Sequence, residues 1–178
     1  MIFSGKRFNT ILVLAPALAA VLTLLWGCQS SKTNPRRVFS TLRIHLEAGL
    51  ETPDRNQQVQ ISRESPVSVN VQKSPVLTEA SVKEAKVVEV VGGFALSVRF
   101  DTAGGWLLEQ YSSANLGKHF AIFSQFSIPS NAKLTEGRWL AAPRISKRIS
   151  DGVLVFTPDA TREEAEQIAL GLNNLAKE

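Results

Sequence analysis

The sequence predicts an α+β fold: an antiparallel or mixed β-sheet with two α-helices packed on one face. Three observations lead there. Short segments alternating at period two dominate residues 38–156. Only two stretches, residues 102–115 and 161–175, carry helical periodicity. Helices this sparse do not wrap both faces of a parallel sheet. The chain has 178 residues, 44% of them hydrophobic, enough for one ordinary core.

Residues 38–47 read as a strand, with Val38, Ser40, Leu42, Ile44 and Leu46 on one face and Phe39, Arg43 and His45 on the other. Gly49, Pro53 and Asp54 mark residues 48–56 as a loop. Residues 59–63 and 67–71 read as two strands around Glu64-Ser65-Pro66, with Val67, Val69 and Val71 on a buried face. A connector with a short helical turn covers residues 75–86. Residues 86–91 and 94–100 form a hairpin, for which Gly92 and Gly93 supply the positive φ angles of a two-residue turn.

Asp101 and Thr102 start a helix running to about Asn115, with Ala103, Trp106, Leu107, Tyr111 and Ala114 at helical spacing. Gly104 and Gly105 in its first turn suit close backbone packing. Residues 120–126 are a strand, 127–136 a loop, 139–145 extended around Pro143, and 153–156 a short buried strand. The last helix opens on a capping box, Thr161-x-x-Glu164, and turns Ala165, Ile168, Ala169 and Leu172 inward. Residues 38–178 are thus expected to be a single domain.

The N-terminus has a different character. Lys6 and Arg7 precede an apolar stretch, residues 11–25, which ends in Leu25-Trp26-Gly27-Cys28. The stretch has the length of a signal-peptide core and is short for a membrane span. Its end resembles a bacterial lipobox: an apolar residue at −3, small Gly27 at −1, then the cysteine whose thiol takes the diacylglycerol thioether. Trp26 at −2 is bulkier than usual. The reading is a lipoprotein signal peptide over residues 1–27, cleaved between Gly27 and Cys28. Lipidated Cys28 and a polar tether then fill residues 28–37, and membrane lipid becomes the first partner through acylated Cys28. The alternative is an uncleaved anchor with an incidental cysteine. Either places the rest of the chain outside the cytoplasm, facing the periplasm. Gln29, where enterobacterial inner-membrane lipoproteins carry Asp, favours the outer membrane.

Several chemistries are excluded or unsupported. One cysteine excludes an intramolecular disulfide framework and any multi-cysteine zinc site. Removing Lys6 and Arg7 from the 20 basic residues leaves 18 against 16 acidic, a net of +2, too mild for nucleic-acid binding. His45 and His119 read as ordinary surface or edge residues. Asp101, Asp151 and Asp159 fall beside turns and caps. Neither glycine pair has phosphate-loop spacing. No enzyme activity, metal or cofactor is expected.

Two stretches are candidate binding surfaces. Asn115-x-Gly117-Lys118 is a helix stop or a loop contacting a partner. Lys133, Arg138, Arg144, Lys147 and Arg148 stand against the single acid Glu136, with Trp139 among them. That run is a solvated face or a contact for anionic lipid, cell-wall polymer or acidic protein.

The motif order adds a family. Ser112-Ser-Ala-Asn115-Leu-Gly117-Lys118-His-Phe120-Ala121-Ile122, then Ala142-Pro143, Ile149-Ser-Asp-Gly152 and Thr161-Arg-Glu-Glu-Ala165, resemble in order and spacing the periplasmic head subdomain of SecD-type protein-export subunits. The resemblance covers about residues 80–175. Ser112 replaces the usual threonine, and the loop after Ile122 lacks the usual Asp-Gly turn. The resemblance implies a non-enzymatic periplasmic interaction module, accessory to protein export or envelope assembly, with an envelope protein or an emerging polypeptide as partner. The membrane bundle that couples such subunits to the proton gradient has no counterpart in the apolar segment here. The alternative function is a structural or cell-wall-associated envelope lipoprotein using residues 133–148.

Overall fold

A computed structural model describes residues 38–49, 53–128 and 130–177. The expected signal peptide, Gly27, Cys28 and the expected tether lie outside the described residues.

Among the described residues nine strands and two α-helices make up the fold: β1 (Ser40–Leu46), β2 (Asn56–Ile61), β3 (Val67–Gln72), β4 (Leu77–Thr78), β5 (Val82–Val90), β6 (Gly93–Phe100), α1 (Thr102–Ala114), β7 (Phe120–Ile128), β8 (Asn131–Ala141), β9 (Val153–Phe156) and α2 (Arg162–Leu175). The class is α+β, and every strand pair is antiparallel. The strands form three sheets where the sequence suggested one: β4-β1-β7-β8, β2-β3 and β5-β6-β9. α2 packs against both larger sheets, touching β1, β7, β5 and β6.

The main core lies between these elements. The period-two face of β1 is buried, with Leu42 and Ile44 at 0% exposure. They meet Phe120, Ile122 and Phe126 of β7, Leu96 and Val98 of β6, and Ile168 and Leu172 of α2. Alternation along β7 sends Ala121 to the opposite face. There the β2–β3 hairpin covers it with Val59, Ile61, Val69 and Val71, beside Trp139 and Ala142. Val67, expected on that buried face, sits at the strand end and is exposed.

α2 follows its sequence closely. Thr161 Oγ1 accepts from Glu164 N–H, and Glu164 Oε2 accepts from Thr161 N–H, closing the box. Ala165, Ile168, Ala169 and Leu172 are buried, and so is Gly171. α1 also starts as expected, with Asp101 Oδ1 accepting Gly104 N–H at 2.7 Å. Its inward face differs. Gly104, Leu108 and Ser112 are buried, whereas Trp106 is 72% exposed and Leu107 is exposed.

Several boundaries also moved: β2 begins at Asn56, β5 at Val82 inside the expected connector, and β8 ends at Ala141. Residues 127–136, expected as a loop, mostly continue β7 and begin β8. The hairpin turn is centred on Val91-Gly92, since Val90 pairs with Gly93 and strand β6 begins there. Gly92 has φ +88°, as the turn requires.

Candidate functional site

A cleft of about 780 Å³ opens beside the β2–β3 hairpin. One wall is β3 at Val67–Asn70 with Ile61 and Ser62. The other is residues 140–143 and 156–159. Ile61, Val69, Leu140, Ala141 and Phe156 are buried side chains of the main and hairpin cores, so the floor is apolar.

The β3 wall offers backbone as well. On one side β3 pairs with β2. On the other, Asn70 C=O accepts Ala48 N–H at 2.8 Å, and Val71 bridges Glu47. In an antiparallel ladder residues of one parity aim both backbone groups to the same side. Ser68 therefore points its N–H and C=O the same way as Asn70. Among the described residues no strand pairs with it there.

Charged contacts close the two ends. At one, Asp159 accepts the Arg63 backbone N–H at 2.9 Å and Arg63 Nε at 3.3 Å. Ser62, just before, has φ +72°, a left-handed conformation uncommon for serine. At the other, Glu47 Oε2 lies 2.7 Å from His119 Nδ1 and accepts its backbone N–H at 2.8 Å. Among the described residues no hydroxyl bonds to His119. Asp159 N–H donates to Leu140 C=O at 2.7 Å, fixing the 157–159 wall onto β8.

A buried ion network supports this wall. Arg138 donates to Glu164 at 2.9 and 3.0 Å, to Glu136 at 2.6 and 3.0 Å, and to Asp159 C=O at 2.9 Å. Burial works against the charge on Arg138, but its two carboxylate partners outweigh this and raise its pKa. Burial works equally against the charge on Glu164. The Arg138 hydrogen bonds and the cap N–H of Thr161 prevail and hold its carboxyl below the usual range.

The sequence-predicted binding residues separate into two places. Asn115, Gly117, Lys118 and Arg144 come together: Gly117 N–H donates to Ile145 C=O, Ile145 N–H to Lys118 C=O, and Arg144 Nε to Gly117 C=O. Asn115 stops the helix through Tyr111 C=O and accepts from Lys118 Nζ. Lys147 and Arg148 follow on the same exposed segment, with Arg148 paired to Glu109. Arg138 is interior instead, 9% exposed and over the Phe126 ring, so it leaves the basic surface. Half-buried Trp139 packs edge-on against His45 and Phe123. The side chain of Lys133 lies outside those described.

His45, expected at the surface or an edge, is 5% exposed, and its Nδ1–H donates to Gln72 C=O at 2.8 Å. Burial pushes its imidazole below the ordinary pKa, which the Gln72 bond opposes and Arg43 reinforces. Asp101 caps α1, and Asp151 accepts Val153 N–H within its own turn. Among the described residues no three His, Cys, Asp or Glu side chains gather as metal ligands would. No described helix is long and apolar enough to cross a membrane.

Sequence reasoning missed the cleft. Its walls come from segments about 80 and 90 residues apart, and only the polar turn at residues 62–66 marked one end.

Among solved structures, a SecDF described as a membrane component that enhances protein export shares 19% identity with the chain. It superposes with a TM-score of 0.51 over 98% of this chain and 72% of that one, a likeness of fold. SecDF in a super-membrane-facing form gives a TM-score of 0.47 at 17% identity, over 92% of this chain and 33% of that one. A translocon-associated SecDF from Thermus gives 0.40 at 18%, over 93% and 34%. The chain thus spans about a third of the length of these last two. No curated protein sequence gives a significant match. The family model for the SecDF P1 head subdomain matches residues 55–176, over two thirds of the chain, and the chain belongs to that family.

Proposed function

We propose that this chain is a non-enzymatic, lipid-anchored head module on the periplasmic side of the cell envelope. It holds an extended polypeptide segment in the cleft beside β3, as an accessory to protein export or envelope assembly. Cys28 carries the anchor, and membership of the SecDF P1 head family supports the export setting. The observation that carries the reading is the unpaired edge of β3 at Ser68 above an apolar floor. Strand addition uses backbone hydrogen bonds for affinity and alternate side chains for selectivity, so it suits clients of many sequences. The titratable groups at the cleft ends are engaged with one another, Glu47 with His119 and Asp159 with Arg63, which favours binding over catalysis.

The test is a photo-reactive residue at Ser68 in cells exporting a defined, tagged client. Cross-links to that client are expected from Ser68 and, with the probe moved to Asn70, are expected to disappear in Ser68→Pro, which removes the outward N–H while sparing the β2 ladder. Cross-links absent at Ser68, or unchanged in the cleft with proline at position 68 and the probe at Asn70, would refute it. The anchor is tested separately: Cys28→Ala should abolish fatty-acid labelling, and retained labelling contradicts the lipoprotein assignment.

A further inference from the structure

The apolar stripe of α1 faces solvent. At 100° per residue, Ala103, Trp106, Leu107, Gln110 and Ala114 fall within roughly 100° of the helix circumference, and all are exposed. The opposite side, Gly104, Leu108 and Ser112, meets the core. Just past the helix Leu116 is 59% exposed. A helix with its larger apolar residues outward exposes what burial would otherwise cover.

A basic strap runs beside this stripe. Residues 144–149 are held to the end of α1 by Gly117 N–H to Ile145 C=O at 2.9 Å, Ile145 N–H to Lys118 C=O at 2.8 Å, and Ile149 N–H to Ser112 Oγ at 2.9 Å. The strap carries Arg144, Lys147 and Arg148, with Lys118 on the adjoining loop, all exposed. Trp106 and Arg148 line one shallow depression with Glu109, Gln110 and Ser113. The acids nearby are Glu109, paired with Arg148, Asp151 at the end of the strap, and Asp101 at the N-terminus of α1.

We infer that this face docks on an anionic lipid bilayer. An indole prefers the headgroup level, where its ring is shielded and its N–H stays wet. Exposed lysines and arginines around it meet lipid phosphates without needing a fixed spacing. One ring, Trp106, stands 72% exposed among the separate cations Lys118, Arg144 and Lys147. A fluid, negatively charged surface complements that charge and covers the ring. Trp106, Lys147 and Arg148 do not line the β3 cleft, whose His119 end adjoins Lys118 and Arg144.

The test uses the full chain reconstituted in vesicles, and the part of the tryptophan emission that Trp106→Phe removes. Vesicles of phosphatidylcholine with phosphatidylglycerol, carrying headgroup-region spin-labelled lipid, should quench that emission. Pure phosphatidylcholine should quench it several-fold less. High salt, or Lys118→Glu with Lys147→Glu, should remove the difference while circular dichroism stays unchanged. Equal quenching on both vesicle types, or none on either, overturns the inference. So does shielding of Trp106 that appears only when envelope proteins are added, which would mark a protein partner instead.

Discussion

The two helices were built on opposite rules. In α2 the buried face is the hydrophobic face, Ala165, Ile168, Ala169 and Leu172. In α1 the buried face is small and partly polar, and the larger residues look outward. The first turn of α1 is pressed against its neighbours. A Cβ on Gly104 would lie 2.7 Å from Ser81 Cβ and 3.1 Å from Phe100 Cβ, and Gly105 has the Gly152 Cα 3.5 Å from where its own Cβ would stand. That turn admits glycine but no indole, and Leu108 is the one large side chain the buried face of α1 takes. Ser112 then accepts the Ile149 N–H and donates to Glu109 C=O, so its burial leaves no hydroxyl unpaired. α2 makes one such approach, at Gly171, where a Cβ would stand 2.5 Å from the Ser40 nitrogen.

Substitutions sharpen the contrast, and urea denaturation followed by circular dichroism measures each. Ile168→Asp places an unpaired charge at 0% exposure and should unfold the domain, costing more than about 4 kcal/mol. Leu108→Ala empties the one large buried position of α1 and should cost about 2–5 kcal/mol. Gly171→Ala forces α2 off the β1 backbone and should cost about 1–3 kcal/mol. Thr161→Ala removes half the capping box, at about 1 kcal/mol. Trp106→Ala, by far the largest deletion of apolar surface, should change stability by less than about 0.5 kcal/mol. A Trp106→Ala loss as large as that of Leu108→Ala would return the outward stripe to the core.

Acid distinguishes the two sides of the fold further. His45 is buried with its pKa lowered, so above its ordinary value of 6.5 the folded and unfolded imidazoles are both neutral. As pH falls below 6.5 the unfolded chain takes up the proton first, and stability declines until the folded pKa is passed. Glu164, also lowered, stabilises fully above its ordinary 4.5 and loses that contribution as pH falls through its folded value. Stability is expected to begin falling below pH 6.5 and to take on a further loss below 4.5, and His45→Gln should remove the earlier onset.

Local chemistry was legible in the sequence wherever one element carried the whole signal. The capping box at Thr161, the Asp101 cap and the alternating face of β1 depend on neighbours within a few residues. Only the end of β8 was legible, in the extended stretch from Trp139, because Thr135 and Glu136 read as a loop. The β7 partner makes it a strand, and Gly137 leaves room for Phe123, whose ring carbon would lie 3.1 Å from an added Cβ. Arg138 read as surface charge because its carboxylate Glu164 is 26 residues away on α2. The cleft was hidden for the same reason: an unpaired strand edge is a property of the sheet order, which β3 acquires only when β1 and its loop stop pairing at Asn70.

On this reading the free edge of β3 receives an extended chain. Hydrogen exchange of individual amides, read by NMR with and without a permanently unfolded polypeptide, tests it most directly. The account predicts that the Ser68 amide exchanges markedly more slowly when the polypeptide is present, that Val69, already bonded to β2, changes little, and that Ser68→Pro abolishes binding with the fold intact. Protection confined to α1 and the 144–148 strap, or an unchanged Ser68 amide under saturating polypeptide, would contradict it.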